Sequence, residues 1–123
     1  MRIVKISVDV MTQLDYKSRK ISLEEILTDL SRSVKVPEGA IASKYRKDTL
    51  SICRQIFSYV CVRYGRYHLN EIAAQIGGKH HSSIIVANRV ADKHIKTGDE
   101  KFGTIWTMYI ANSKVWPKIL SDE

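Results

Sequence analysis

From residue 21 onward the apolar residues of this 123-residue chain recur every three to four positions, and that period dictates most of what it can fold into. Leu23, Ile26, Leu27 and Leu30 make the first such series, opened by Ser22 and Glu25 at capping-box spacing. Pro37 breaks it, with a short turn of helix expected around Glu38–Ile41. A long helix from about Thr49 to Tyr64 would align Leu50, Cys53, Ile56, Phe57, Val60, Cys61 and Tyr64 on one face and stop at Gly65. Leu69, Ile72, Ala73 and Ile76 follow in a shorter helix ended by Gly77-Gly78. The next helix is expected to start near Ser82 or Ser83, either of which can cap it, and to bury Ile84, Ile85, Ala87, Ala91 and Ile95. Beyond Gly98, a last amphipathic stripe of Phe102, Ile105, Trp106, Tyr109 and Ile110 runs toward Pro117, which closes the region.

These segments predict an all-α bundle of about five to six helices over residues 21–123. Residues 1–20 read differently. Val4, Ile6, Val8 and Val10 alternate with Lys5, Ser7 and Asp9, the period of a strand. No second strand follows, so this N-terminal arm either pairs with another chain or is helical after all. Asp15–Lys20 resembles a solvated linker. There is no internal repeat and no low-complexity stretch.

The formal net charge is +7 and the sequence pI about 9.5, a balance that suits a partner rich in phosphate or carboxylate. Cys53 and Cys61 lie eight positions apart on one helix, roughly 12 Å along its axis and too far for a disulfide. They read as small core residues in a reducing compartment. No apolar run is long enough to span a membrane, and the N-terminus lacks the apolar core of a signal peptide. A cytoplasmic, nucleoid-associated protein is expected, without membrane contact.

The stretch from Leu69 to Lys96 carries the chemistry. A two-turn helix, a glycine turn and a longer helix make a helix-turn-helix, whose second helix enters the major groove and touches base edges with its first residues. Lys79, His80, His81, Ser82 and Ser83 stand at that point. All can donate hydrogen bonds, and a helix N-terminus also favours phosphate. Two glycines followed by polar residues are equally an ordinary helix–helix connection.

The run Gly77-Gly78-Lys79-His80-His81-Ser82-Ser83-Ile84-Ile85-Val86-Ala87 resembles the signature of the C-terminal DNA-binding domain of the bacterial replication initiator DnaA, approximately Gly-Gly-Arg-Asp-His-Thr-Thr-Val-Leu-His-Ala. Upstream, Ser43-Lys44-Tyr45-Arg46-Lys47 and Arg54-Gln55 are similar to its Ser-Lys-Arg-Arg-Ser and Arg-Gln, at the same spacing. The resemblance covers roughly residues 22–112 and is strongest from 43 to 91. It implies sequence-specific binding of double-stranded DNA, in a regulator of transcription or replication from a bacterium or phage.

By that resemblance Arg46 reaches into the minor groove, with Lys47 beside it in the basic segment. Arg54 and Gln55 lie near the phosphate backbone. Lys79 begins the recognition segment, His81 reads the major groove, and Ser82 and Ser83 replace two threonines that contact DNA. Serine keeps the hydroxyl but loses a methyl that could pack on a thymine methyl. Arg63 and Arg66 fall in a loop that is basic in the family, without matching individual positions. Two departures stand out. His80 occupies the place of an aspartate, exchanging an acceptor for a group that donates, so full fidelity for the usual DnaA box is not expected. Asp48 stands where the family is basic.

Other classes find less support. The sequence holds no Gly-x-x-x-x-Gly-Lys-[Ser/Thr] phosphate loop, so ATP-driven assembly is not expected and binding is what remains. No nucleophile or acid–base constellation suggests an enzyme. His80, His81, His94, Cys53 and Cys61 fit no zinc spacing, so neither metal nor cofactor is expected. The alternative reading is a protein-interaction adaptor on the same fold, one whose partner is a replication initiator. Phe102, Trp106 and Tyr109 are expected to pack on the domain's own core, whereas Trp116 is expected at an interface. Homodimerisation through the N-terminal arm or the C-terminal aromatic helix stays open.

Overall fold

Ser22 opens the first helix, its Oγ accepting from the Glu25 amide at 3.0 Å, and Lys35 closes it in the left-handed region at φ 59°. The structure, a computed structural model, describes residues 21–45, 47–78 and 80–121. Among them are six helices: α1 (Leu23–Val34), α2 (Asp48–Tyr64), α3 (Leu69–Gln75), α4 (His81–Thr97), α5 (Glu100–Asn112) and α6 (Trp116–Ser121). The described residues contain no strand, so the all-α expectation holds for them. The strand-like reading of 1–20, and the boundary drawn at 20, lie outside the described residues.

α2 is the central element. Its Cys53, Ile56, Phe57, Val60 and Cys61 are almost completely buried, and α1, α3, α4, α5 and α6 all pack on it. α1 contributes Ile26 and Leu30, and α5 contributes Phe102 and Tyr109. The start of α1 is tied to the end of α2. The Ile21 amide donates to the Tyr64 hydroxyl at 3.2 Å, and the Tyr67 hydroxyl donates to the Ile21 carbonyl at 2.8 Å.

A buried carboxylate joins the two ends of the bundle. Asp29, on the inner face of α1, accepts from the Ser113 hydroxyl at 2.5 Å, from the Lys114 amide at 2.9 Å and from Arg32 at 2.7 Å. Ser113 Oγ in turn accepts from the Val115 and Trp116 amides, which satisfies orphan donors at the start of α6. Asp29 therefore caps the α5–α6 corner from across the fold.

Four sequence expectations are corrected here. Trp116 is not interfacial: it is buried in α6, with its ring 5.5 Å from Trp106 and 6.2 Å from Tyr59. Pro117 does not close the region but is the second residue of α6, where a helix makes no use of an amide donor. Ile85, expected in the core, is 41 % exposed, and Ile110, on the aromatic helix's apolar stripe, is 45 % exposed. α4 meets the core along a narrow arc through Ile84 and Ala91, and Ile85 lies 100° off it. Finally, neither Ser82 nor Ser83 caps α4; His80 does, as described next.

Candidate nucleic-acid interface

α3 ends because Gly77 and Gly78 take φ of 100° and 68°, which reverses the chain within a few residues. Gly77 also sits against the loop before α2: a Cβ there would meet the Ala42 carbonyl oxygen at 3.4 Å. Ile72, Ala73, Ile76 and Ile84 fill the angle between α3 and α4 and leave α4's first turn in solvent. His81, Ser82 and Ser83 are all exposed there.

His80 is the N-cap of α4, with φ −68° and ψ 148°. Its Nδ1 accepts from the Ser82 amide at 3.3 Å and lies 3.0 Å from the Ser82 hydroxyl. Accepting from that amide uses the tautomer that carries its proton on Nε2. The His81 ring lies against His80, centroids 4.1 Å apart. Sequence reasoning missed this cap because Ser, Thr, Asp and Asn dominate that position. The imidazole supplies the acceptor that the family's aspartate would supply.

Ser82 and Ser83 line a shallow groove with Val86, Ala87 and Val90 of α4 and Gln55 of α2. Gln55 Oε1 is buried without a hydrogen-bond partner among the described residues. The structure thus brings Gln55, Ser82 and Ser83 together, with His80 and His81 at the adjoining helix start. Val86, given no role of its own in the sequence reading, is 56 % exposed. The signal was available: position 86 is off the Ile84–Ala91 period, so a branched apolar residue there has no place in the core.

Arg54 borders the same face, lining a pocket with Gln55, Ser83 and Ala87, and is also engaged by the backbone. Its residue is only 8 % exposed, its Nε donates to the Ile41 carbonyl at 2.8 Å, and its Nη2 donates to the Ser43 carbonyl at 2.7 Å. Its guanidinium thus holds the turn at 41–43. Ser43 Oγ continues the clasp by donating to the Ala40 carbonyl at 2.5 Å. Lys44, Tyr45 and Lys47 follow that clasp and are exposed. Arg46 and Lys79 lie outside the described residues.

Arg63 is exposed in the last turn of α2, about two turns from Gln55 along the axis, and Arg66 stands in the next loop 5.5 Å from the Tyr64 ring centroid. Both lie outside the groove. Asp48 occupies the first turn of α2, where negative charge suits the helix dipole, and it pairs with Lys101 at 3.3 Å. Both partners are largely exposed, and such a pair contributes little to stability.

The cysteines supply no chemistry to this face. Burial pushes the Cys53 thiol up to about 11, against a smaller opposing pull from Arg54, and raises Cys61 well above its ordinary value. No group of three or more His, Cys, Asp or Glu side chains among the described residues is placed to hold a metal. No helix among them is long and apolar enough to cross a membrane.

A short helix, a glycine turn and a longer helix packed across it with its first turn free define a helix-turn-helix domain. The profile of the bacterial dnaA protein helix-turn-helix matches residues 23–90. Two chromosomal replication initiator DnaA proteins are similar over 86 residues, 70 % of this chain. That of Citrifermentans bemidjiense is 33 % identical, and that of Geobacter sp. strain M21 is 31 % identical. The chain spans only 19 % and 18 % of their lengths. No solved structure matches it. The chain belongs to the bacterial dnaA protein helix-turn-helix family.

Proposed function

We propose that this protein binds double-stranded DNA with sequence preference, setting the first turn of α4 in the major groove, and that it regulates transcription or replication. The observation that supports this most is the exposure of His81, Ser82 and Ser83 on the first turn of the second helix, beside Gln55. Side chains at that point of a helix-turn-helix reach base edges. In this reading His81 contacts a base edge, Ser82 and Ser83 donate or accept through their hydroxyls, and Lys79 neutralises phosphate at the entrance. His80 caps the helix through Nδ1 and presents Nε2–H outward as a donor for a purine acceptor. Arg46 enters the flanking minor groove and Lys47 and Gln55 meet the backbone. Arg63 and Arg66 add charge farther along. Arg54 acts indirectly by holding the turn that leads to Lys44–Lys47.

Selection of bound sequences from random duplex DNA, with affinity followed against salt, tests the reading. A defined motif is expected, with affinity falling steeply as salt rises. His81→Ala should weaken the selected site by about 1–3 kcal/mol while leaving non-specific binding nearly intact. Recovery of no motif, or equal loss on specific and random DNA in that variant, refutes the assignment of α4.

A further inference from the structure

We infer that Val86 reads a thymine through its C5 methyl group and so fixes one position of the site. This rests on the major-groove reading of α4 and adds a residue to it. Val86 is the most exposed large apolar side chain of α4, at 56 %, and the core makes no use of it. It follows Ser82 by one helical turn and shares the groove with Ser82, Ser83, Ala87 and Val90. That groove combines the Ser82 and Ser83 hydroxyls and the Gln55 amide with the small apolar side chains of Val86, Ala87 and Val90.

In the major groove the thymine methyl is the one apolar substituent; adenine, guanine and cytosine show polar donors and acceptors and, beside them, only ring C–H. Valine can neither donate nor accept through its side chain, so it distinguishes bases there only by that methyl. The quoted signature has histidine at this place and threonines where Ser82 and Ser83 stand. Here the methyls are missing from the first turn, and a branched apolar side chain appears one turn later. One turn is 5.4 Å of rise and base pairs are about 3.4 Å apart. The thymine read by Val86 therefore lies roughly one or two base pairs from the pair facing Ser82.

The test replaces each thymine of the selected duplex in turn by deoxyuridine, which removes the C5 methyl and nothing else. One buried methyl is worth about 0.8 kcal/mol, or roughly fourfold in affinity. Wild-type protein should lose about fourfold at one thymine that Val86→Ala no longer distinguishes from deoxyuridine, with the other thymines unchanged. Val86→His should also lose that preference, and Ile85→Ala, exposed but off the groove, should keep the wild-type pattern. Both positions are exposed, so the melting temperatures of all three variants should stay close to wild type. Identical deoxyuridine penalties in wild type and Val86→Ala, or no thymine sensitive in wild type, overturn this inference while DNA binding stands. Failure of the wild-type protein to retain any duplex overturns the major-groove reading and this inference with it.

Discussion

Replacing Arg54 by methionine separates holding a turn from touching a phosphate. Methionine keeps a flexible stem but donates nothing. The change leaves the Ile41 carbonyl, in a fully buried residue, and the partly buried Ser43 carbonyl without their donors. Charge-assisted bonds of this kind are worth about 1.5–3 kcal/mol, and a buried acceptor left unpaired costs about 1–3 kcal/mol. Counting the first contact in full and discounting the second for solvent gives a loss on the order of 3 kcal/mol. At an unfolding entropy of about 2.1 cal/mol/K per residue over some hundred residues, that is a fall in Tm of roughly 12–14 °C. The assay is thermal and urea unfolding of the free protein, followed by DNA affinity against salt. If Arg54 holds the turn, stability falls and the salt slope is nearly unchanged in the fraction that stays folded. A surface arginine on a phosphate would behave oppositely, with stability within about 0.5 kcal/mol and a slope shallower by about one charge. That second pattern would refute the placement of its guanidinium.

Asp29→Ala should cost about 2–3 kcal/mol in urea unfolding, because it strands the buried Ser113 hydroxyl and uncaps the α5–α6 corner; a loss below about 0.5 kcal/mol would contradict that role. Stability should also decline at alkaline pH. Burial raises the Cys53 thiol from 9.0 to about 11, so the unfolded chain gives up its proton first. The contribution is whole below pH 9 and is lost as pH rises toward 11, on the order of 2 kcal/mol. The raised Cys61 thiol adds to the same decline, so Cys53→Ala should make it shallower without removing it, and an unaltered pH profile would speak against the Cys53 thiol as a source. His80→Asp should raise stability by a few tenths of a kcal/mol, since carboxylate is a better cap at the positive end of a helix, and should shift the selected DNA motif toward the usual DnaA box. Identical motifs from the two proteins would show that position 80 does not read bases.

What the sequence made legible followed from period and from glycine. Ile72, Ala73, Ile76 and Ile84 around Gly77-Gly78 are enough to place α3, the turn and α4. The core face of α2 is also written in its 3.6-residue repeat. What escaped depends on contacts between segments far apart in the chain. Arg54 is charged and near a basic segment, so its sequence context suggests the surface. Its burial follows from two carbonyls 11 and 13 residues away that no local pattern reveals. Trp116 follows a proposed last helix and precedes a proline, which looks like an exposed tail. It is drawn inward because Asp29 and Ser113 set the start of α6. Arc width misled at Ile85, because hydrophobicity reports what could be buried and only the neighbouring helices decide how much is.

The pin at Asp29 has a bearing on how such a domain travels between proteins. The family match stops at residue 90, inside α4. The hydrogen bonds that Asp29 makes to Ser113 and Lys114, and the burial of Phe102, Tyr109 and Trp116, all draw on residues beyond it. A gene fusion or truncation cut where the recognisable motif ends would inherit the reading head without its keel. α1 would present Asp29 and Leu30 to water, and the α2 face that Phe102 and Tyr109 cover would become an adhesive surface. The residues that support α1 and α2 from beyond position 90 therefore decide whether the recognisable motif can stand in a new setting.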